Sequence, residues 1–143
     1  MGTNTLRLAG YSILEAYETP FENIFTLRSA IEAPRCPNCG SKHHTRFGRR
    51  MQRARDLPLR GKPVVLYIET RRFKCLPCST SGRVTFSERL PGIDARRAMT
   101  SRLVSWILRE ARRRTQAEVA RAAGCTEGTV RQVLAGRTQK LKE

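Results

Sequence analysis

The sequence predicts an α+β chain, β-rich over residues 1–91 and then a small all-α three-helix bundle over residues 92–143. Three observations carry this. Two Cys-x-x-Cys pairs, Cys36/Cys39 and Cys75/Cys78, stand 35 residues apart in the first part. Apolar runs of strand length flank them. After Leu90-Pro91-Gly92-Ile93 the apolar period becomes helical, which places the domain boundary there.

The elements follow in order. Ser12–Tyr17 and Ile24–Ile31, split by Thr19-Pro20-Phe21-Glu22-Asn23, read as a β-hairpin. The stretch holding Arg46, Arg49, Arg50, Arg53 and Arg55 has no apolar periodicity and receives no element. Leu57 to Pro63 reads as a turn region. Val64 to Phe73 is a strong strand leading directly into Cys75, and Arg83 to Phe86 reads as a short one. Met99, Leu103, Trp106 and Ile107 follow i, i+4, i+7, i+8, an amphipathic helix with Arg102, Arg109 and Arg113 along one stripe. Shorter helices are expected at about 116–123 and 126–136, with Lys140–Glu143 frayed.

Lys and Arg number 28 against 12 acids, a net charge of +16. Such a surplus favours a polyanionic partner, because each neutralised phosphate releases a counterion. Arginine dominates, and its planar fork matches phosphate oxygens and guanine edges. The longest apolar run is Val64 to Ile68, far short of the roughly 20 residues of a membrane span. With no secretory segment at the start, a cytoplasmic protein without a membrane partner is expected.

In a reducing compartment, paired cysteines point to a metal rather than to disulfides. Each Cys-x-x-Cys forms a knuckle offering two thiolates, and four thiolates complete the tetrahedron that suits one Zn²⁺. An iron–sulfur cluster is the less favoured occupant. A redox pair would open a helix in a βαβ unit, and neither pair does. His43 and His44 lie close enough to replace a cysteine. Four sulfurs already fill the shell, however, so both are read as surface or phosphate-contacting residues. A closed shell leaves no position for an activated water, so the ion is structural. The first part is too small for a large core, and chelation is expected to unfold it.

Residues 115–136 have the layout of a helix-turn-helix. Thr115 and Glu118 make a capping box. Val119, Ala120 and Ala123 form an inner face, Gly124 supplies a left-handed turn, and Cys125 is a small residue rather than a ligand. Thr126 caps the next helix, where Val130, Val133 and Leu134 turn inward. Arg131 and Gln132 are then candidate readers of guanine and adenine, and Thr129 a contact to phosphate or a thymine methyl. Glu127, unfavourable beside DNA, offsets the helix dipole. The basic stretch Arg46, Arg49, Arg50, Arg53 and Arg55 is either a solvated face or a clamp on the phosphate backbone. Arg71, Arg72 and Lys74 would extend that clamp.

These residues resemble the N-terminal region of insertion-sequence transposases of the ISL-three type. The likeness runs through Cys36-Pro37-Asn38-Cys39-Gly40-Ser41, Arg53-Ala54-Arg55-Asp56-Leu57-Pro58, Gly61-Lys62-Pro63-Val64, Arg71-Arg72-Phe73-Lys74-Cys75 and Thr85-Phe86-Ser87-Glu88-Arg89-Leu90. It ends in Glu118-Val119-Ala120, Gly124 and Thr129-Val130-Arg131. The resemblance implies a zinc ribbon joined to a helix-turn-helix, zinc-dependent binding to duplex DNA, terminal inverted repeats as target, and the bacterial nucleoid as location. It also implies a catalytic domain with three metal-binding acids, which the residues do not supply. The two aspartates, Asp56 and Asp94, are read in turn-like settings without a second acid beside them, whereas a two-metal nuclease needs clustered carboxylates. The chain is therefore expected not to be an enzyme and to take no small-molecule substrate. Ser79 replaces a glycine common in the second knuckle and is expected to tighten it. Partners beyond DNA would be a second copy or a full-length transposase. The alternatives are a stand-alone helix-turn-helix transcriptional regulator, weakened by the lack of an evident ligand-sensing domain, and an adaptor whose ribbon binds protein or RNA.

Overall fold

A computed structural model describes residues 6–30, 34–80, 82 and 84–142, with side chains as far as Gly136. The strands are β1 (Tyr11–Glu18), β2 (Asn23–Ser29), β3 (His44–Leu59), β4 (Lys62–Cys75), β5 (Thr85–Ser87), β6 (Ile93–Asp94) and β7 (Met99–Thr100). The helices are α1 (Ser101–Glu110), α2 (Gln116–Ala123) and α3 (Glu127–Lys142). The sheet order is β1-β2-β4-β3-β7-β6, with β5 antiparallel on β4. The β-rich start and three helical segments after it match the predicted class. The expected hairpin is β1–β2, although Ile31, like Arg83 and Glu143, lies outside the described residues.

The Arg-rich stretch, which carried no strand signal, is the first part of β3, a strand of 16 residues. Its partner supplies the apolar surface. β4 is central, and Val64, Val65, Leu66, Ile68, Thr70, Phe73 and Cys75 are all buried in it. β3 therefore needs no apolar alternation of its own. The turn is also shorter than the prolines suggested. Leu57-Pro58-Leu59 belong to β3, and the link is Arg60-Gly61 alone, with φ of 54° and 77°. Two successive positive φ values are the mark of the tight hairpin turn that matches strand twist.

The chain divides into two compact units: residues up to Glu15 with Thr26–Gln52 and Tyr67–Pro91, and Ala16–Phe25 with Arg53–Leu66 and everything from Gly92 onward. In the first, Leu27, Ile68, Phe73 and Cys75 form the interior. Glu88, almost wholly buried, binds Arg71 through Nε at 3.0 Å, through Nη2 at 3.1 Å and through the backbone amide at 2.7 Å. Burial alone would raise the Glu88 pKa, but these donors and the guanidinium charge hold the carboxyl below its ordinary value.

The second unit contains more than helices. Its core joins Met99, Leu103, Ile107, Val119, Ala120, Ala123, Val130 and Val133, with Leu57 of β3 packed against it. Met99, counted above as the first rung of α1, is instead in β7, paired in parallel with Arg55. It faces the same core, so the burial pattern holds although the backbone is extended. Thr100 ends β7 and caps α1, its Oγ1 accepting from the Leu103 amide at 3.2 Å. The same hydroxyl donates to Asp56 Oδ1 at 2.7 Å, and Arg102 Nε donates there at 2.8 Å. Asp56 is thus a fully buried strand residue rather than a turn residue. Asp94, in β6, binds Arg97 at 2.9 Å. The predicted arginine stripe is divided: Arg102 serves Asp56, and Arg113 lies past the end of α1, bound to Glu110 at 2.8 Å. Among the described residues no buried side-chain polar atom lacks a partner.

Candidate metal centre and nucleic-acid interface

The first knuckle turns at Cys36–Cys39, where the Gly40 amide donates to the Cys36 carbonyl at 2.8 Å and Gly40 takes a φ of 73°. The second lies in a short 3-10 turn, Pro77–Thr80. The Ser79 hydroxyl accepts from the Val84 amide at 3.0 Å and returns to its carbonyl at 3.4 Å, closing the loop after the knuckle. The Cys75 amide donates to Val84 and the Leu76 amide to His43, so backbone bonds tie both flanks of this knuckle.

All four sulfurs lie within 4.8 Å of one another. Cys36 Sγ is 3.9 Å from Cys78 Sγ, and Cys39 Sγ is 3.5 Å from Cys75 Sγ. A zinc tetrahedron with Zn–S of about 2.3 Å puts its sulfurs about 3.8 Å apart, so the donor set fits the ion. Asn38 adds two donors that sequence reading did not assign, its amide to Cys36 Sγ at 3.4 Å and its Nδ2 to Cys78 Sγ at 3.3 Å. Both favour thiolate. The Cys39 backbone amide also lowers the Cys36 thiol to about 7, whereas burial pushes Cys75 up to about 12. A bound dication overrides that split by stabilising every thiolate it touches. Cys36, Cys39, Cys75 and Cys78 hold one structural zinc ion.

His44 is neither ligand nor surface residue. Its ring packs on Phe73 at 4.5 Å and Phe86 at 5.7 Å, and its Nε2 meets the Pro34 carbonyl at 2.9 Å. This small aromatic cluster braces the strands that present both knuckles. His43 is exposed.

The helix-turn-helix signals appear where expected. Thr115 Oγ1 accepts from the Glu118 amide at 3.1 Å. Gly124 ends α2 at a φ of 75°. Thr126 Oγ1 accepts from the Thr129 amide at 3.1 Å and meets Thr129 Oγ1 at 3.0 Å. Val130 and Val133 are buried, Leu134 is half-buried, and Thr126, Arg131 and Gln132 are exposed. Glu127 reaches Arg131 at 4.0 Å. Gly124 also serves packing: a Cβ there would lie 2.7 Å from Pro63 Cβ and 3.0 Å from Arg55 Nη1. The tip of the β3–β4 hairpin is thus seated against the helix-turn-helix turn.

The five arginines of β3 do not behave as one set. Arg46, Arg50 and Arg53 are exposed, with no ion-pair partner among the described residues. Arg49 is exposed and reaches Glu69 at 3.5 Å. Arg55 departs from the clamp reading. Only 19% exposed, its side chain donates to Glu22 Oε2 at 2.9 Å and lies beside Gly124, which commits it to internal pairing. Arg71 is committed to Glu88, and Arg72 lies over the Phe47 ring at 5.7 Å.

The class defined by this arrangement is a four-thiolate zinc ribbon with a helix-turn-helix. Residues 32–78 match the family described as the zinc-finger of transposase IS204/IS1001/IS1096/IS1165, and residues 88–137 match the helix-turn-helix domain of transposase family ISL3. In both regions the chain belongs to the ISL3 transposase family, and its domains are zinc-associated DNA-binding domains. No curated protein and no solved structure matches it. Among the described residues, no helix is long and apolar enough to cross a membrane.

Proposed function

We propose that this chain is the DNA-recognition part of an ISL3-type transposase, which reads duplex sequence at transposon terminal inverted repeats and does no cutting itself. One observation carries the reading. α3 buries Val130 and Val133 in the three-helix core while exposing Arg131 and Gln132, the arrangement that lets a recognition helix enter the major groove. Thr126 and Thr129 stand at its start, where phosphate and thymine contacts fall. Exposed Arg46, Arg49, Arg50 and Arg53 supply sequence-independent affinity. The zinc ion keeps the ribbon folded. Among the described residues no acid cluster suited to two-metal chemistry surrounds Asp56 or Asp94, each of which is engaged by arginine. The protein then acts in the cytoplasm, on the nucleoid.

Selection of bound duplexes from a random pool, followed by footprinting on element ends, tests the reading. Enrichment of a motif found in terminal inverted repeats is expected. On that motif Arg131→Ala should cost roughly 1–3 kcal/mol, with little change on scrambled duplex. Equal losses on both remove Arg131 from the base readers. A motif confined to promoters assigns the chain to transcriptional regulation instead.

A further inference from the structure

Four arginines from three strands, Arg28, Arg46, Arg49 and Arg71, line one cleft of about 220 Å³ together with Ser29, Gly48 and Glu69. Its construction is specific. Arg46 and Arg49 are three residues apart, and in a regular strand that spacing sends side chains to opposite faces. Between them Gly48 takes a φ of 97°, open to glycine and strained for other residues. A Cβ at Gly48 would meet nothing within 4 Å, so glycine is required there for the backbone path and not for space. The kink, of the kind that re-aims side chains at a bulge, brings both arginines to the same cleft.

The charge in the cleft is unbalanced. Arg71 is neutralised by its fork on Glu88. Arg28 and Arg49, each more than half exposed, share the single Oε2 of Glu69 at 3.4 and 3.5 Å. Arg46 has no ion pair among the described residues. Three cations against one carboxylate leave a surplus of two positive charges. Like charges gathered in one concavity repel, and a merely solvated surface would splay them. The shared Glu69 oxygen shows that two of these groups already reach one anionic atom.

Resting on the duplex-binding reading above, we propose that this cleft is a phosphodiester site, in which Arg28, Arg46 and Arg49 hold one backbone phosphate of bound DNA. Arg28 is the new member: it stands in β2, outside the basic stretch, and sequence spacing gives no sign of it.

The test uses the zinc-loaded 143-residue chain and a short mixed-sequence duplex, with affinity measured across a salt series. Arg28→Ala should make the log–log salt slope shallower, by at most about 0.9 because Arg46 and Arg49 still face the same phosphate, so that over a roughly fourfold rise in salt the variant loses up to about 3.5-fold less affinity than wild type. Gly48→Ala, which changes no charge, should flatten the slope similarly by redirecting Arg46. Zinc content is checked in both, and if Gly48→Ala loses its metal, Arg28→Ala alone decides. A wild-type slope in Arg28→Ala overturns the proposal. If Arg131→Ala still loses its preferred motif in that case, the recognition reading stands without it. Wild-type protein that binds no duplex overturns both. Inorganic phosphate that shifts the Arg28 guanidinium NMR signal while duplex does not would make this a free-phosphate site, which also overturns the proposal.

Discussion

Replacing Gly124 with alanine tests whether the turn of the helix-turn-helix is built against the β3–β4 hairpin. Two costs are legible. The left-handed φ of 75° costs a residue with a Cβ about 1–2 kcal/mol. The new methyl would also sit 2.7 Å from Pro63 Cβ and 3.0 Å from the Arg55 guanidinium. Overpacking of that kind costs roughly 1–3 kcal/mol. The expected total is about 2–5 kcal/mol. Gly92 provides the control, because it lies in the same unit at a φ of 74° with nothing within 4 Å of its virtual Cβ. Gly92→Ala should therefore cost only the dihedral part, about 1–2 kcal/mol. Trp106, the chain's single tryptophan, packs on the helical core and reports unfolding of this unit in urea by fluorescence. Equal losses in the two variants would refute the seating of the hairpin tip on the turn.

Further outcomes follow from the same contacts. Arg102→Met should destabilise the second unit by about 3 kcal/mol or more in the same titration, because Asp56 stays buried without its counter-charge. Arg102→Met combined with Asp56→Leu should recover part of that loss. Removing zinc with a strong chelator should expose the amides of Phe73 and Cys75 to hydrogen exchange, with one ion released per chain by atomic absorption. Acid should act in the same direction, since metal binding requires thiolates and protonation competes for them. His44→Ala should cost about 1–2 kcal/mol by chemical denaturation of the zinc-loaded protein, from the lost ring contacts and the bond to Pro34. It should leave zinc stoichiometry unchanged, which separates a brace from a ligand.

Much of this protein was legible in one dimension because its signals are local. A Cys-x-x-Cys knuckle fixes its own loop, and two of them define a four-sulfur site before any fold is known. Thr115, Gly124 and Thr126 mark helix ends through bonds to residues three or four positions away or through one dihedral, so α2 and the start of α3 fall where they were read. What sequence could not decide was anything settled by a distant neighbour. β3 is a strand because β4 lies beside it. Arg53 and Arg55 belong to one basic run, yet Arg53 is exposed and Arg55 is turned to Glu22, 33 positions earlier. Asp56 looks like a loop acid until Thr100 and Arg102 are brought to it from more than 40 residues away. Arg28, Arg46 and Arg49 share a cleft only because three strands and a glycine kink gather them. Pairing energies of buried or converging charges depend on separation in space, which chain order does not encode; bond patterns within one turn do not depend on it, and those the sequence alone determined.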